Sequence, residues 1–186
     1  MLNKEKLRKK YLKIRKNKYF EVTDEFFKPF VILLNRLFKK KSIYLSLYYP
    51  SNYEVNVTKL FYLLKKRKNI KTLLPVTISK SQMTFVKWNF LDILKVNRYG
   101  MLDPARKTKS LVPNVVLVPL LAFDKDNYRL GYGKGYYDKF LNKYLKLNKN
   151  ILTIGVAFSF QKYNKLPTSK FDVRLNYILT EKGIKR

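Results

Sequence analysis

The sequence predicts an α/β layered fold with a mainly parallel sheet, and three observations lead there. Short apolar runs rich in Val, Ile and Leu recur along the chain, stretches of helical apolar spacing lie between them, and a glycine-punctuated segment joins one such run to one such stretch. A length of 186 residues fits one domain with a full core, taken here as 1–186.

Lys4 to Lys16 reads as a basic helix, with Leu7, Tyr11 and Ile14 falling on one face. Thr23 or Asp24 can cap a second helix through about Phe38, whose Phe27, Phe30, Val31, Leu34 and Leu37 form an apolar face; Pro29 in its early turns works against it. Ser42 to Tyr48 predicts a strand, and Tyr49 to Tyr53, with Pro50, a loop. Val57, Leu60, Phe61 and Leu64 have helical spacing, while Ile70 to Val76 suits a buried strand and Met83 to Trp88 another. A polar stretch from about Asn97 to Asn114 carries Gly100, Pro104 and Pro113, and its length marks it as functional rather than a simple connector. Val115 to Pro119 predicts a central strand, Tyr136 to Leu147 a helix, Leu152 to Ala157 a buried strand and Asn176 to Leu179 a short final one.

Composition excludes several kinds of chemistry. The chain has no Cys and no His, so disulfides, thiolate nucleophiles, the usual zinc sites and His-based triads are all impossible. Carboxylates, Lys, Arg, Tyr, hydroxyls and backbone amides remain, with Mg²⁺ as the natural hard metal. Lys and Arg outnumber Asp and Glu by 41 to 12, a formal charge of +29 that invites a nucleic-acid reading. Yet only 9 of those cations are Arg, the residue suited to base edges and bidentate phosphate contacts. Lys, Asn, Tyr and Phe abound while Ala and Gly are scarce, the signature of A/T-rich codons, so most of the charge reads as solvated surface. At 46% hydrophobic the chain is too apolar for a disordered basic tail. The longest apolar run, Val115 to Phe123, falls short of the roughly 20 residues of a membrane span, and the charged start lacks a secretory signal. A cytoplasmic location follows as an expectation.

One segment concentrates chemistry: Ala122 to Asp138, AFDKDNYRLGYGKGYYD, with Gly131, Gly133 and Gly135 at alternate positions between a predicted strand and a predicted helix. Glycines there let backbone N–H groups line an anion cradle at a helix start, with Arg129 and Lys134 supplying cations and Asp138 a candidate Mg²⁺ ligand. Neither the dinucleotide fingerprint nor a Walker loop is present. The plainer alternative is a tight turn with a surface Lys; the flanking strand, helix and cations favour phosphate.

The run RLGYGKGYYDKFL, with AFD upstream, closely resembles the signature of the 5-formyltetrahydrofolate cyclo-ligase family, also called 5,10-methenyltetrahydrofolate synthetases. Lys4-x-x-x-Arg8, SLYYPSNYEVNVTKL, YGMLDP and IGVAFSFQKYNKLPTSKFDVRLNYILTE resemble further family blocks, in family order over nearly the whole chain. The resemblance implies a three-layer α/β/α fold, and ATP- and Mg²⁺-dependent closure of 5-formyltetrahydrofolate to 5,10-methenyltetrahydrofolate with release of ADP and phosphate. In that course the formyl oxygen takes the γ-phosphoryl group, N10 attacks, and phosphate leaves. Such chemistry asks for positioning and charge neutralisation, which suits a chain without His or Cys.

By resemblance, Lys4, Arg8, Arg129 and Lys134 carry catalysis. Lys4, Arg8 and the run Arg129, Leu130, Gly131, Tyr132, Gly133, Lys134, Gly135, Tyr136 and Tyr137 bind ATP. Asp138 and Asp172 hold Mg²⁺, and Arg8, Tyr49, Glu54, Tyr132 and Tyr136 meet the folate. A carboxylate at Glu54 can accept the paired N–H donors of a pterin; read without the family, Glu54 could equally be a charge at a helix start. Trp88 is a weaker pterin candidate, since core packing is the default for the only Trp. The chain departs from the family pattern at Phe171 (His), Asn176 (Asp) and Asp103 (Glu), and none of these touches the matched site residues. The expected enzyme is a monomer acting on small molecules, without membrane or specific nucleic-acid partner. Its rival is a basic RNA-associated binding protein that kept the fold.

Overall fold

The computed structural model describes residues 3–39, 41–80, 82–98, 100–105, 109–147 and 150–186. Asn3 caps α1 (Lys4–Lys18) by accepting from the Lys6 amide at 2.9 Å. The second predicted helix divides in two. Residues Asp24–Phe27 form a 3-10 turn and α2 (Lys28–Phe38) follows, with no side-chain cap from Thr23. Pro29 explains the division: it has no N–H to extend an α-helix backward, and it is tolerated in the first turn of a helix that starts at Lys28.

Next come β1 (Ile43–Ser46), α3 (Lys59–Leu64), β2 (Ile70–Thr77) and β3 (Met83–Lys87). The polar stretch predicted as a functional loop is partly strand. β4 (Leu94–Val96) pairs with β5 (Leu102–Pro104), and β6 (Ser110–Leu111) is added to the edge of β3, while residues 99 and 106–108 lie outside the described ones. Then follow β7 (Val115–Pro119), the hairpin of β8 (Ala122–Phe123) and β9 (Arg129–Leu130), α4 (Tyr136–Leu147), β10 (Leu152–Val156), β11 (Tyr177–Thr180) and β12 (Gly183–Lys185).

The main sheet has eight strands in the order β12-β11-β10-β7-β1-β2-β3-β6. The run from β11 to β2 is parallel, and the strands outside it are antiparallel. Strand alternation divides β7 between two cores. Val115 and Leu117 pack with Phe30 and Leu34 of α2 and Leu60 of α3, while Val116 and Val118 pack with Phe140 and Leu141 of α4. The sheet is thus sandwiched, which is why its central strand reads as an unbroken apolar run. A third, smaller cluster joins Leu7 and Tyr11 of α1 to Leu121, Ala122, Leu130 and Leu166.

Direction of exit from the sheet places the site. After β1 the chain crosses through α3 to β2 on one side; after β7 it crosses through α4 to β10 on the other. β1 and β7 are nonetheless neighbours, with Leu45 opposite Val115. Connections leaving adjacent strands in opposite directions open a crevice at their carboxyl ends, where α/β proteins bind ligands. Asn176, predicted as the start of the last strand, instead ties β10 to β11 by side chain, accepting from the Thr153 amide at 2.8 Å and hydroxyl at 2.9 Å.

Leu117 is fully buried at the middle of this sandwich. Leu117→Ala should lower unfolding free energy by about 2–5 kcal/mol in urea titration, through lost transfer energy and an unfilled cavity.

Candidate active site

Two connections flank the crevice. The one after β1 carries Glu54, with Asn52 and Tyr53 both in the left-handed region at φ +48° and +62°. Its carboxylate is 7% exposed and held from two sides: Oε2 accepts from the Ser51 amide at 2.9 Å, and Oε1 accepts from the Tyr132 hydroxyl at 2.6 Å. Burial pushes the Glu54 pKa above its ordinary value, against the opposing pull of Tyr132, Ser51 and Arg15. The Tyr132 hydroxyl in turn accepts from the Arg15 guanidinium, which lies 5.5 Å from the centre of the Tyr132 ring. Tyr48, just before this connection, is buried and donates to the Val55 carbonyl at 3.0 Å.

The other connection runs from β7 through the β8–β9 hairpin to α4. Asp124 closes the hairpin turn by accepting from the amides of Asp126 and Tyr128 at 3.1 and 3.0 Å, so this acid is structural. The turn delivers Arg129 to a buried position, where it meets Asp138 Oδ1 at 2.7 Å. Burial pulls the Arg129 pKa down from its ordinary value and Asp138 opposes it. Asp138 Oδ1 also accepts from the Val173 amide at 3.1 Å. Asp172 Oδ2 pairs with Lys4 Nζ at 2.6 Å and accepts from the Ser169 amide at 2.6 Å. Burial raises the Asp172 pKa, but the Lys4 and Ser169 donors outweigh it and the net shift is downward.

The glycine loop lies against α1. Arg8 Nε donates to the Gly131 carbonyl at 2.9 Å, and Gly133, at φ +100°, sits so close that a Cβ there would lie 3.2 Å from Arg8 Cζ. Gly135 is also left-handed, at φ +68°.

Most of the predicted site residues converge. Lys4, Arg8, Arg129, Asp138 and Asp172 gather around the loop, and Glu54 and Tyr132 face each other across the crevice. Tyr136 donates to the Ser79 carbonyl at 3.3 Å, and the Tyr137 hydroxyl is buried without a partner among the described residues. Three predicted residues stand apart. Leu130 turns its side chain into the α1 packing, so it can meet a ligand only through its backbone. Tyr49 is 42% exposed and makes no hydrogen bond to the Glu54 array among the described residues. Lys134 is exposed at the loop tip, unpaired among the described residues. Trp88 is fully in the core, edge-on to Phe61 and Phe90.

Arg15 is the residue that sequence reasoning missed. It is 1% exposed on a helix that reads as basic with Leu7, Tyr11 and Ile14 on one face, and it continues the Leu7–Tyr11 stripe at the next spacing of four. That spacing was visible, as was the choice of Arg in a Lys-dominated chain.

Paired cations and carboxylates gather around a glycine loop at the strand carboxyl ends of a parallel sheet, the place where α/β proteins bind ligands. The chain matches the family model for the 5-formyltetrahydrofolate cyclo-ligase family over residues 1–181. The 5-formyltetrahydrofolate cyclo-ligase of Mycoplasma pneumoniae is 36% identical over 137 residues, covering 66% of this chain and 80% of the relative. That of Haemophilus influenzae is 28% identical over 151 residues, covering 78% and 80%. The solved 5,10-methenyltetrahydrofolate synthetase of Aquifex aeolicus superimposes with a TM-score of 0.73 at 31% identity, covering 98% of this chain and 92% of the other. The chain belongs to the 5-formyltetrahydrofolate cyclo-ligase family, a family of ligases.

Gly133→Ala should cost about 1–3 kcal/mol of unfolding free energy, because the left-handed backbone is strained by a Cβ that also crowds Arg8. The comparison is urea unfolding against Gly131→Ala, where a Cβ meets open space and the cost should be smaller.

Proposed function

We propose that this chain, acting as one domain, closes 5-formyltetrahydrofolate to 5,10-methenyltetrahydrofolate at the expense of ATP, with Mg²⁺, releasing ADP and phosphate. The observation that carries the reading is the buried, doubly held Glu54 carboxylate facing, through Tyr132, the glycine loop that Arg8 lies against. One side offers an acceptor for the adjacent N–H donors of a pterin, the other an anion cradle for a triphosphate.

Lys4, Arg8, Arg129 and Lys134 take the ATP phosphates, with the loop from Arg129 to Tyr137 supplying backbone donors. Lys4 and Arg129 are held by Asp172 and Asp138, so phosphate binding exchanges one anionic partner for another. Among the described residues no hydrogen bond engages Asp138 Oδ2 or Asp172 Oδ1. Two such hard oxygens fit Mg²⁺, which takes few protein ligands beside phosphate and water. When bound, that ion neutralises phosphate charge.

The formyl oxygen takes the γ-phosphoryl group and ADP leaves; N10 then adds to the formyl carbon, loses its proton to solvent, and phosphate departs as the C–O bond breaks. Arg8 and Arg129 stabilise the charge moving through the transferring group. Tyr132, Tyr136 and Tyr49 are the aromatic contacts assigned to the folate, Tyr132 also fixing the Glu54 carboxylate.

Mixing the protein with ATP, Mg²⁺ and 5-formyltetrahydrofolate should produce the near-ultraviolet absorbance of the methenyl product, and omission of any one should abolish it. No product from folded protein overturns the reading. Asp172→Asn should raise the Mg²⁺ concentration needed for half-maximal rate by about tenfold or more.

Glu54 must be ionised to accept from a pterin. Its pKa lies above the ordinary 4.5, and the groups facing it are Ser51, Arg15, Tyr132, Tyr48 and Tyr137. Folate KM should therefore rise as pH falls through that raised value, and Glu54→Gln should flatten the dependence at a high KM. The sign for stability is opposite. A carboxyl whose pKa is raised by folding favours the native state when protonated and loses that contribution as pH climbs. Glu54→Gln should thus melt no lower than wild type at pH 7 while binding folate poorly.

A further inference from the structure

We infer that Arg15 is the positioning residue that sets folate affinity, by clamping Glu54 and Tyr132 into one array; this rests on Glu54 receiving the pterin. Each donor of the Arg15 fork goes to a different segment. Nε donates to the Asn52 carbonyl at 2.9 Å, Nη1 to the Leu120 carbonyl at 3.0 Å, and Nη2 to the Tyr132 hydroxyl. These are the Glu54 connection, the end of the central strand and the glycine loop. One planar side chain therefore fixes both sides of the crevice to each other.

The Asn52 bond acts where the backbone is least content. Asn52 and Tyr53 are consecutive left-handed residues immediately before Glu54, a conformation that L-residues hold only when the surroundings fix it. The Tyr132 bond acts on the carboxylate itself. With its hydroxyl oxygen engaged by Arg15, Tyr132 must point its proton at Glu54 Oε1, so the carboxylate faces a donor of fixed direction.

Charge bookkeeping gives the same assignment. Arg15 is buried, yet no carboxylate lies within ion-pair distance of it among the described residues. The cost of burying its charge is offset by its three hydrogen bonds and by the one acid that faces it. That acid is Glu54, whose ionised form the Arg15 charge favours beside the Tyr132 hydrogen bond. Lys could carry the charge but not the fork, since one ammonium lacks the planar geometry that reaches three separated acceptors.

The test uses the full-length chain and steady-state kinetics with 5-formyltetrahydrofolate. Arg15→Lys and Arg15→Gln should raise folate KM by about tenfold or more, the loss expected for a charge-assisted hydrogen bond, and ATP KM by less, because Arg8 still holds the loop at the Gly131 carbonyl. The acid limb of folate KM should move to higher pH in Arg15→Gln, because Glu54 loses its supporting charge. Tyr132→Phe should raise folate KM as well, and the Arg15→Lys/Tyr132→Phe double variant should fall short of the product of the two single effects, since the Arg15–Tyr132 bond is common to both. Lys10→Gln removes an exposed charge from the same helix and should change nothing. Should Arg15→Gln fail to fold, Arg15→Lys and the double variant decide. Unchanged folate KM in the Arg15 variants, alongside a raised KM in Glu54→Gln, overturns the role of Arg15 and leaves the folate reading intact. Additive effects in the double variant also overturn it. Unchanged folate KM in all of them, Glu54→Gln included, overturns both.

Discussion

Everything at the crevice depends on the pairing of β1 with β7. They are joined by no direct connection; Leu45 meets Val115 and Ser46 meets Val116 across 70 residues of chain. If that register slipped by one residue, the β7 side chains would exchange faces and both cores would be filled wrongly. Because the register is fixed by two apolar layers at once, the loops leaving these strands start from fixed points. Glu54 and the glycine loop can then be placed without either being rigid alone.

Electrostatics at the site is local, despite the surplus of Lys. Asp138 faces a buried Arg, and Asp172 faces Lys4 across the end of α1. These pairs are partly shielded, and each holds its acid or base in a defined place. The exposed pairs Lys9–Glu5 and Lys28–Glu25 contribute little by comparison. Most of the +29 charge is solvated and has no part in this geometry.

Elements with strong periodicity were legible in the sequence; residues whose roles depend on distant partners were not. The apolar run of β7 and the face of α4 needed no tertiary information. By contrast, the hairpin of β4 and β5 has little apolar pattern, and β8 and β9 are pairs of residues that only their mutual bonding defines. Pro29 works against one long helix and marks the start of a shorter one. At the site, Arg129 and Asp138 could be named from the context of the glycine loop, whereas Lys4, Arg8 and Glu54 came only through the family resemblance. Their present partners could not be named, because each pair joins segments far apart in the chain. Arg15 shows the remaining gap most clearly: a helical stripe of Leu7, Tyr11 and Arg15 looks like an amphipathic boundary until the acceptors beyond it are known.

The separate packing of α1 has an experimental consequence. Lys4, Arg8 and Arg15 all ride on this helix, yet its apolar contacts belong to the small third cluster rather than to the two cores of the sheet. Its other ties are side-chain bonds from Lys4, Arg8, Tyr11 and Arg15 to the loops around the crevice, so its opening is coupled to the crevice rather than to global unfolding. Calorimetry of the whole protein is dominated by the two large cores of the sheet, so α1 can loosen with little change in the melting temperature. Amide exchange along α1 is the more faithful measure of whether a sample is intact where it matters.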